Sequence, residues 1–158
     1  MKIFLLTFLL SISAWAADSR KPLEPSDAKA VTEVLLKNDE LFNAFLKKDP
    51  ALVQKKAAEL HELASKTDSS VLSKVKKKAK SLKGIKPGTK NESNLESYEP
   101  FLNALIKVVK KYQVPGRYNI FSCPMVNKSW IQDVTVNKDV RNVYAMEMLE
   151  CGTQDTKF

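Results

Sequence analysis

Residues 27–47, "DAKAVTEVLLKNDELFNAFLK", set the reading of the whole chain. Val31, Val34, Leu35, Leu41, Phe42 and Phe45 recur at three- and four-residue spacing, the period of one face of an α-helix. A helix over about 27–47 therefore buries one stripe, with Ser26 placed to cap it. Asp49-Pro50 restarts the chain as N-cap and first helical residue, and Val53, Ala57, Leu60 and Ala64 mark a second buried stripe. A third follows in Val71, Leu72, Val75, Ala79 and Leu82, ended by Gly84. The polar segment "IKPGTKNESN" (85–94) is expected to be a loop. A fourth helix is expected from about Leu95 to Tyr112, with Pro100 kinking it or marking its start. Four amphipathic helices with short connections predict a mainly α protein, an up-down four-helix bundle.

Beyond Val114-Pro115-Gly116 the texture changes. "RYNIFSC", "SWIQDVTV" and "NVYAMEML" are richer in β-branched and aromatic residues, and polar turns separate them. Short strands or extended segments over about 117–158 are expected to form a small C-terminal cap on the bundle, since so short a stretch is hard to stabilise alone. Residues 26–158 then constitute one domain, preceded by a flexible lead-in over 17–25 that contains Pro22 and Pro25.

The first residues, "MKIFLLTFLLSISAWAADSR", carry Lys2, an apolar run from Ile3 to Ile12, and the small-x-small pattern Ala14-Trp15-Ala16. This reads as a secretory signal peptide over 1–16 cleaved near Ala16, so a periplasmic or secreted destination is expected. The apolar run is much shorter than the roughly 20 residues a membrane span requires, and no transmembrane segment is expected after cleavage.

The formal charge of +8 concentrates in "SKVKKKAKSLKGIK", with Lys74, Lys76, Lys77, Lys78, Lys80, Lys83 and Lys86. Such a run attracts phosphate, anionic lipid or an acidic partner, or it is the wet face of an amphipathic helix. Nucleic acid is not expected as a partner, because aromatic residues are not interleaved with the lysines. No G-x-S-x-G, H-E-x-x-H, P-loop or dinucleotide fingerprint is present, so no enzyme activity is expected. His61, the single histidine, flanks the second stripe.

Sulfur is the distinctive chemistry. "FSCPMVNKSW" (121–130) places Cys123, Pro124 and Met125 together, and "YAMEMLECG" (144–152) places Met146 and Met148 just before Cys151. If the two segments meet, two thiols and three thioethers form a soft donor set that suits Cu(I) or a similar ion. Zinc fits poorly, because a closed zinc site wants four Cys or His ligands. The alternative is a Cys123–Cys151 disulfide, the commonest fate of two cysteines in an exported protein, stapling a structural or protein-interaction module. The two readings exclude each other at any instant.

The stretch from "LESYEPFLNALIKVVKKY" through "VPGRYNIFSCPMVNKSWIQ" to "VRNVYAMEMLECG" resembles a bacterial domain of unknown function, number 3347, as do "VLLKNDELFNAFLKKD" and "AAELHELAS". The matching positions are Cys123, Pro124, Met125, Trp130, Asn142, Tyr144, Met148, Leu149, Cys151 and Gly152. "NVYAMEM" departs from the family in being one residue shorter and in lacking its Pro and Gly. The resemblance implies exported single-domain proteins that also occur fused to, or encoded near, periplasmic adaptors of Cu(I)/Ag(I) efflux systems. It thus implies Cu(I) or Ag(I) as the bound ion and such an adaptor as a partner.

Overall fold

The computed structural model describes residues 18–158; the expected signal peptide lies outside them. The protein is mainly α, with α1 (Pro25–Leu46), α2 (Pro50–Lys66), α3 (Ser73–Lys78), a 3₁₀ segment (Ala79–Gly84) and α4 (Asn91–Lys111). A three-stranded antiparallel sheet of β1 (Tyr118–Cys123), β2 (Lys128–Asp133) and β3 (Thr153–Gln154) follows, in the order β2-β1-β3.

The helices begin where their end groups are satisfied. At α2 the expected device is present: Asp49 accepts a hydrogen bond from the Leu52 amide at 3.0 Å, and Pro50 takes the first turn. At α1 the start is earlier than Ser26, because Pro25 already has a helical φ and needs no amide partner at the first position. The third helix divides: α3 gives way to a 3₁₀ segment, yet Leu72, Val75, Ala79 and Leu82 are all buried as their spacing predicts. The 79-to-82 step suits three residues per turn.

The fourth helix starts at Asn91, within the stretch expected to be loop, and Pro100 lies inside it. Asn94 accounts for the earlier start. Its buried amide accepts from the Lys86 N–H and donates to the Lys86 carbonyl, both at 3.0 Å, so the first turn is fastened to the preceding loop. Tertiary partners decide this boundary, not local propensity.

The core stripes of all four helices meet around a buried aromatic seam. Tyr98 on α4 lies 5.6 Å from Phe45 on α1 and 6.5 Å from Phe101, centroid to centroid, and its hydroxyl donates to Asn38 at 2.6 Å. The α1–α2 surface carries an ion network in which Lys37 and Lys56 each reach both Glu40 and Glu59. The expected lead-in is tied to the fold at Lys21, whose amide and carbonyl bond the Lys111 carbonyl and the Gln113 amide. Among the described residues, no helix is long and apolar enough to cross a membrane.

The sheet packs against α4 and α1, and one carboxyl at this junction is strained electrostatically. Asp39 on α1 is pushed up to about 6 by burial first, then by Asp133 on β2, with the Asn43 amide partly offsetting them. Its Oδ1 is buried without a hydrogen-bond partner. Because the folded value exceeds the unfolded one, the penalty is absent below about pH 4, grows as pH rises toward 6, and is complete above it. Asp39→Asn is therefore expected to raise stability at pH 7.5 by about 1 kcal/mol, a figure that allows for solvent screening, and to leave it unchanged near pH 3.5. Urea titrations at the two pH values check this; equal effects at both would remove the explanation.

Candidate functional site

Cys123 is the last residue of β1, and the register Cys123↔Lys128 leaves Pro124–Asn127 as a four-residue hairpin turn. Asn127 adopts φ 50°, a left-handed conformation that asparagine tolerates better than most residues. Pro124 fixes the chain direction after Cys123, and the amides of Met125 and Val126 then turn back toward the Cys123 sulfur.

The second cysteine arrives by a different route. β3 pairs with β1 through Ser122↔Thr153 and Phe121↔Gln154. Carried back two residues, this antiparallel register brings Cys151 level with the start of the hairpin turn. The Cys123 and Cys151 sulfurs meet there as free thiols. Cys123 is buried and Cys151 is partly exposed.

The segment before Cys151 is a run of turns, not the expected third strand or extended piece. Asn142 is the physical reason. Fully buried, it donates its side-chain amide to the Cys151 carbonyl at 2.8 Å and accepts from the Tyr144 N–H at 2.9 Å. Its backbone N–H bonds the Leu149 carbonyl at 2.7 Å. These bonds close residues 142–151 on themselves, so no edge is left to join a sheet. Gly152 completes the approach. It has φ +147°, and a Cβ there would fall 2.8 Å from Trp130 Cη2 and 2.9 Å from the Ser122 carbonyl oxygen. Only glycine lets the chain pass this close while turning into β3.

Two buried amides absent from the expected site residues fasten the chain segments around the sheet. Gln132 is wholly buried; its Nε2 donates to the carbonyls of Asn137 and Asp139 at 2.7 Å, and its Oε1 accepts from the Arg141 amide and the Trp130 indole. The sequence signal was a polar residue on the same strand face as Trp130, where a buried amide must be fully paired. Trp130 is itself fully buried, 6.0 Å from Phe121 in a stacked pair, with its ring edge against Gly152. Asn119 plays a similar part at the C-terminus, accepting from the Phe158 N–H at 2.9 Å.

The electrostatics of the two sulfurs are opposed. Cys123 is held below the usual thiol range, first by the Cys151 thiol as hydrogen-bond donor, then by the Val126 and Met125 amides and the Asn142 side chain, against the effect of burial. Cys151 is pushed up by donating to Cys123, and then by burial and by the neighbouring charge. The pair thus favours one thiolate, at Cys123, with the proton on Cys151. Removing the donor should reverse this: in Cys151→Ala, the Cys123 thiolate is expected to form at higher pH than the first thiolate of the parent. Thiolate absorbance near the ultraviolet edge, followed against pH, reads it directly. An unmoved or lowered first transition would show that Cys151 does not stabilise the anion.

Met125 projects from the turn with 70% of its surface exposed, and its Sδ lies 3.7 Å from Cys151 Sγ. Three of the five proposed sulfurs therefore come together: Cys123, Cys151 and Met125. Met148 is exposed and, with Met146, lines a groove that also contains Val126, Tyr144 and Glu92. Met146 extends farther, into a cavity beside Asp49, Pro50 and Asn91. Tyr144 has its ring 6.0 Å from the Lys128 ammonium and its buried hydroxyl has no partner; burial raises its titration above the usual tyrosine range. His61 is far in role from this chemistry, since its Nδ1 lies 3.0 Å from the Ala79 carbonyl oxygen and joins α2 to the 3₁₀ segment. Among the described residues, no three His, Cys, Asp or Glu side chains converge as a metal-sized group. A third ligand to a metal held by the two thiols would thus come from methionine sulfur.

Comparison with protein-family models, with curated proteins and with solved structures finds no match to this chain.

Proposed function

We propose that this is an exported protein that binds or senses a soft heavy-metal ion, Cu(I) or Ag(I), through Cys123, Cys151 and Met125, with Met148 and Met146 as further sulfur donors. The observation that carries the reading is a free thiol beside an exposed thioether, Cys151 Sγ 3.7 Å from Met125 Sδ, which the β1–β3 register brings to the turn that starts after the second free thiol, Cys123. Two thiols and a thioether offer an all-sulfur set of low coordination number, the donors that soft monovalent ions prefer. The Cys123 environment also favours the thiolate that a metal needs as ligand.

In this reading each part of the site has one task. The Met125 and Val126 amides and Asn142 hold the Cys123 anion before the ion arrives. Cys151 loses its proton on binding, so affinity increases with pH until both thiols are ionised. Met125, on the exposed tip, is the first sulfur that an incoming ion meets. The same proposal includes membership of the family of domain 3347, passage through a signal peptide over residues 1–16, an up-down order for the four helices, and a periplasmic adaptor of a heavy-metal efflux system as partner.

The second reading, a Cys123–Cys151 disulfide in a structural or interaction module, draws on the same closeness of the two cysteines. The experiment that separates them is a thiol count by mass spectrometry on protein isolated from the periplasm, followed by anaerobic Cu(I) competition against a chromogenic chelator. Two free thiols and transfer of one Cu(I) per chain are expected. A reductant-resistant disulfide with copper left on the chelator would overturn the metal reading.

A further inference from the structure

On the α1–α2 surface Lys37 and Lys56 are neutralised by Glu40 and Glu59. The lysines between α3 and the second half of α4 are not. Lys74, Lys77 and Lys78 stand at three- and four-residue spacing on α3, and Lys107 and Lys111 stand four apart on α4. Together they line two adjoining cavities of about 340 and 180 Å³ that share Lys74, Ala104 and Lys107. No carboxylate lines either cavity, and among the described residues none of the five lysines has an ion-pair partner. Like charges at this spacing repel along each helix and across the gap. Between them run Val71, Pro100, Ala104 and Val108, an apolar strip along the floor.

We propose that this groove docks an acidic segment of a partner protein, one that alternates carboxylates with apolar side chains. The charge decides the sign of the partner, and the shape decides its class. From Pro100 to Tyr112 α4 advances about 18 Å, the length of five or six extended residues or three helical turns. A concave channel with lysines on both walls and apolar atoms beneath matches a chain that presents carboxylates sideways and an apolar residue downward. A bilayer surface fits less well, because membrane-seeking helices bring bulky apolar side chains to the lipid. The large exposed apolar residues, Leu36, Met125, Val136, Met148 and Phe158, do not line the groove. The sulfur-bearing turn faces a different half of α4, since Val126 and Tyr144 share a cavity with Glu92, Glu96 and Glu99. A partner seated between α3 and the Pro100–Tyr112 half therefore occupies other residues than the thiols do.

The test uses the full-length processed protein and a fluorescent peptide of repeated Glu-Glu-Leu, with a Gln-Gln-Leu peptide and vesicles of anionic phosphatidylglycerol in parallel. Fluorescence anisotropy is expected to show binding of the Glu peptide that weakens with salt, with little binding of the Gln peptide or the vesicles. Lys74→Glu with Lys107→Glu is expected to weaken it at least roughly tenfold. The charge-matched pair Lys29→Glu with Lys138→Glu, two exposed residues outside the groove, is expected to change it by less than about twofold. The proposal falls if the Glu peptide fails to bind at low salt. It falls equally if both double variants lose the same affinity, because then only net charge matters. Preferential binding to vesicles, lost in the Lys74/Lys107 variant, would assign the groove to a lipid surface instead.

Discussion

Gly152→Val is expected to destabilise the protein by about 2–5 kcal/mol and to detach the Cys151 segment from the hairpin. Two costs combine. At φ +147° a β-branched side chain is in backbone territory that L-residues rarely occupy, and its Cβ would sit 2.8 Å from Trp130 Cη2 and 2.9 Å from the Ser122 carbonyl oxygen. Trp130 cannot retreat, since its ring is fully buried against Phe121 and its indole N–H is engaged by Gln132. The carbonyl belongs to β1 itself. The strain is therefore relieved by letting residues 151–154 leave, which gives up the β1–β3 pairing and separates the two thiols. Urea denaturation measures the first effect. The second appears as loss of the split between the two thiol titrations, while the β1–β2 hairpin and helices keep their circular dichroism. A variant with parental stability and parental thiol behaviour would mean that the close approach at Gly152 does not hold the site together.

That dependence explains which parts of the structure were legible in the sequence. The apolar stripes of the first three helices needed only periodicity, and Leu35, Leu60 and Val75 are buried where that periodicity places them. The Asp49-Pro50 restart needed only local capping chemistry. Errors arose where a distant partner decides the local conformation. Asn94 draws the start of α4 into a stretch that reads as loop, because its amide finds the Lys86 backbone. "NVYAMEML" reads as a strand, yet Asn142 satisfies three of the polar groups a neighbouring strand would otherwise claim. In the site, the turn after Cys123 was readable from Cys-Pro-Met. The approach of Cys151 was not, because it rests on two residues of β3, the polar pair Thr153-Gln154, which carry no apolar alternation.

Copper affinity is expected to divide the sulfurs into three ranks if the proposed function is right. Cys123→Ser and Cys151→Ser should each weaken Cu(I) binding by more than the roughly 10–100-fold typical of losing an outer-sphere partner, since a hard hydroxyl replaces a soft thiolate. Met125→Leu should lower it by about tenfold, because the thioether lies beside Cys151 but is largely in water and leucine keeps the side chain's bulk. Met146→Leu should have the smallest effect, as its side chain lines the cavity beside Asp49 and Pro50. Met148→Leu separates two arrangements: alone it changes little, but combined with Met125→Leu it deepens the loss if Met148 substitutes when Met125 is missing. Competition titrations with a chromogenic Cu(I) chelator, under argon and at constant pH, provide the ranking. Unaltered affinity in the Met125→Leu/Met148→Leu double variant would remove the methionines from the site, and two thiols without a third sulfur would then have to account for any copper bound. Unaltered affinity in Cys123→Ser would be more damaging, because the amides of Met125 and Val126 and the side chain of Asn142 all converge on that one sulfur. Their convergence would then serve only the fold.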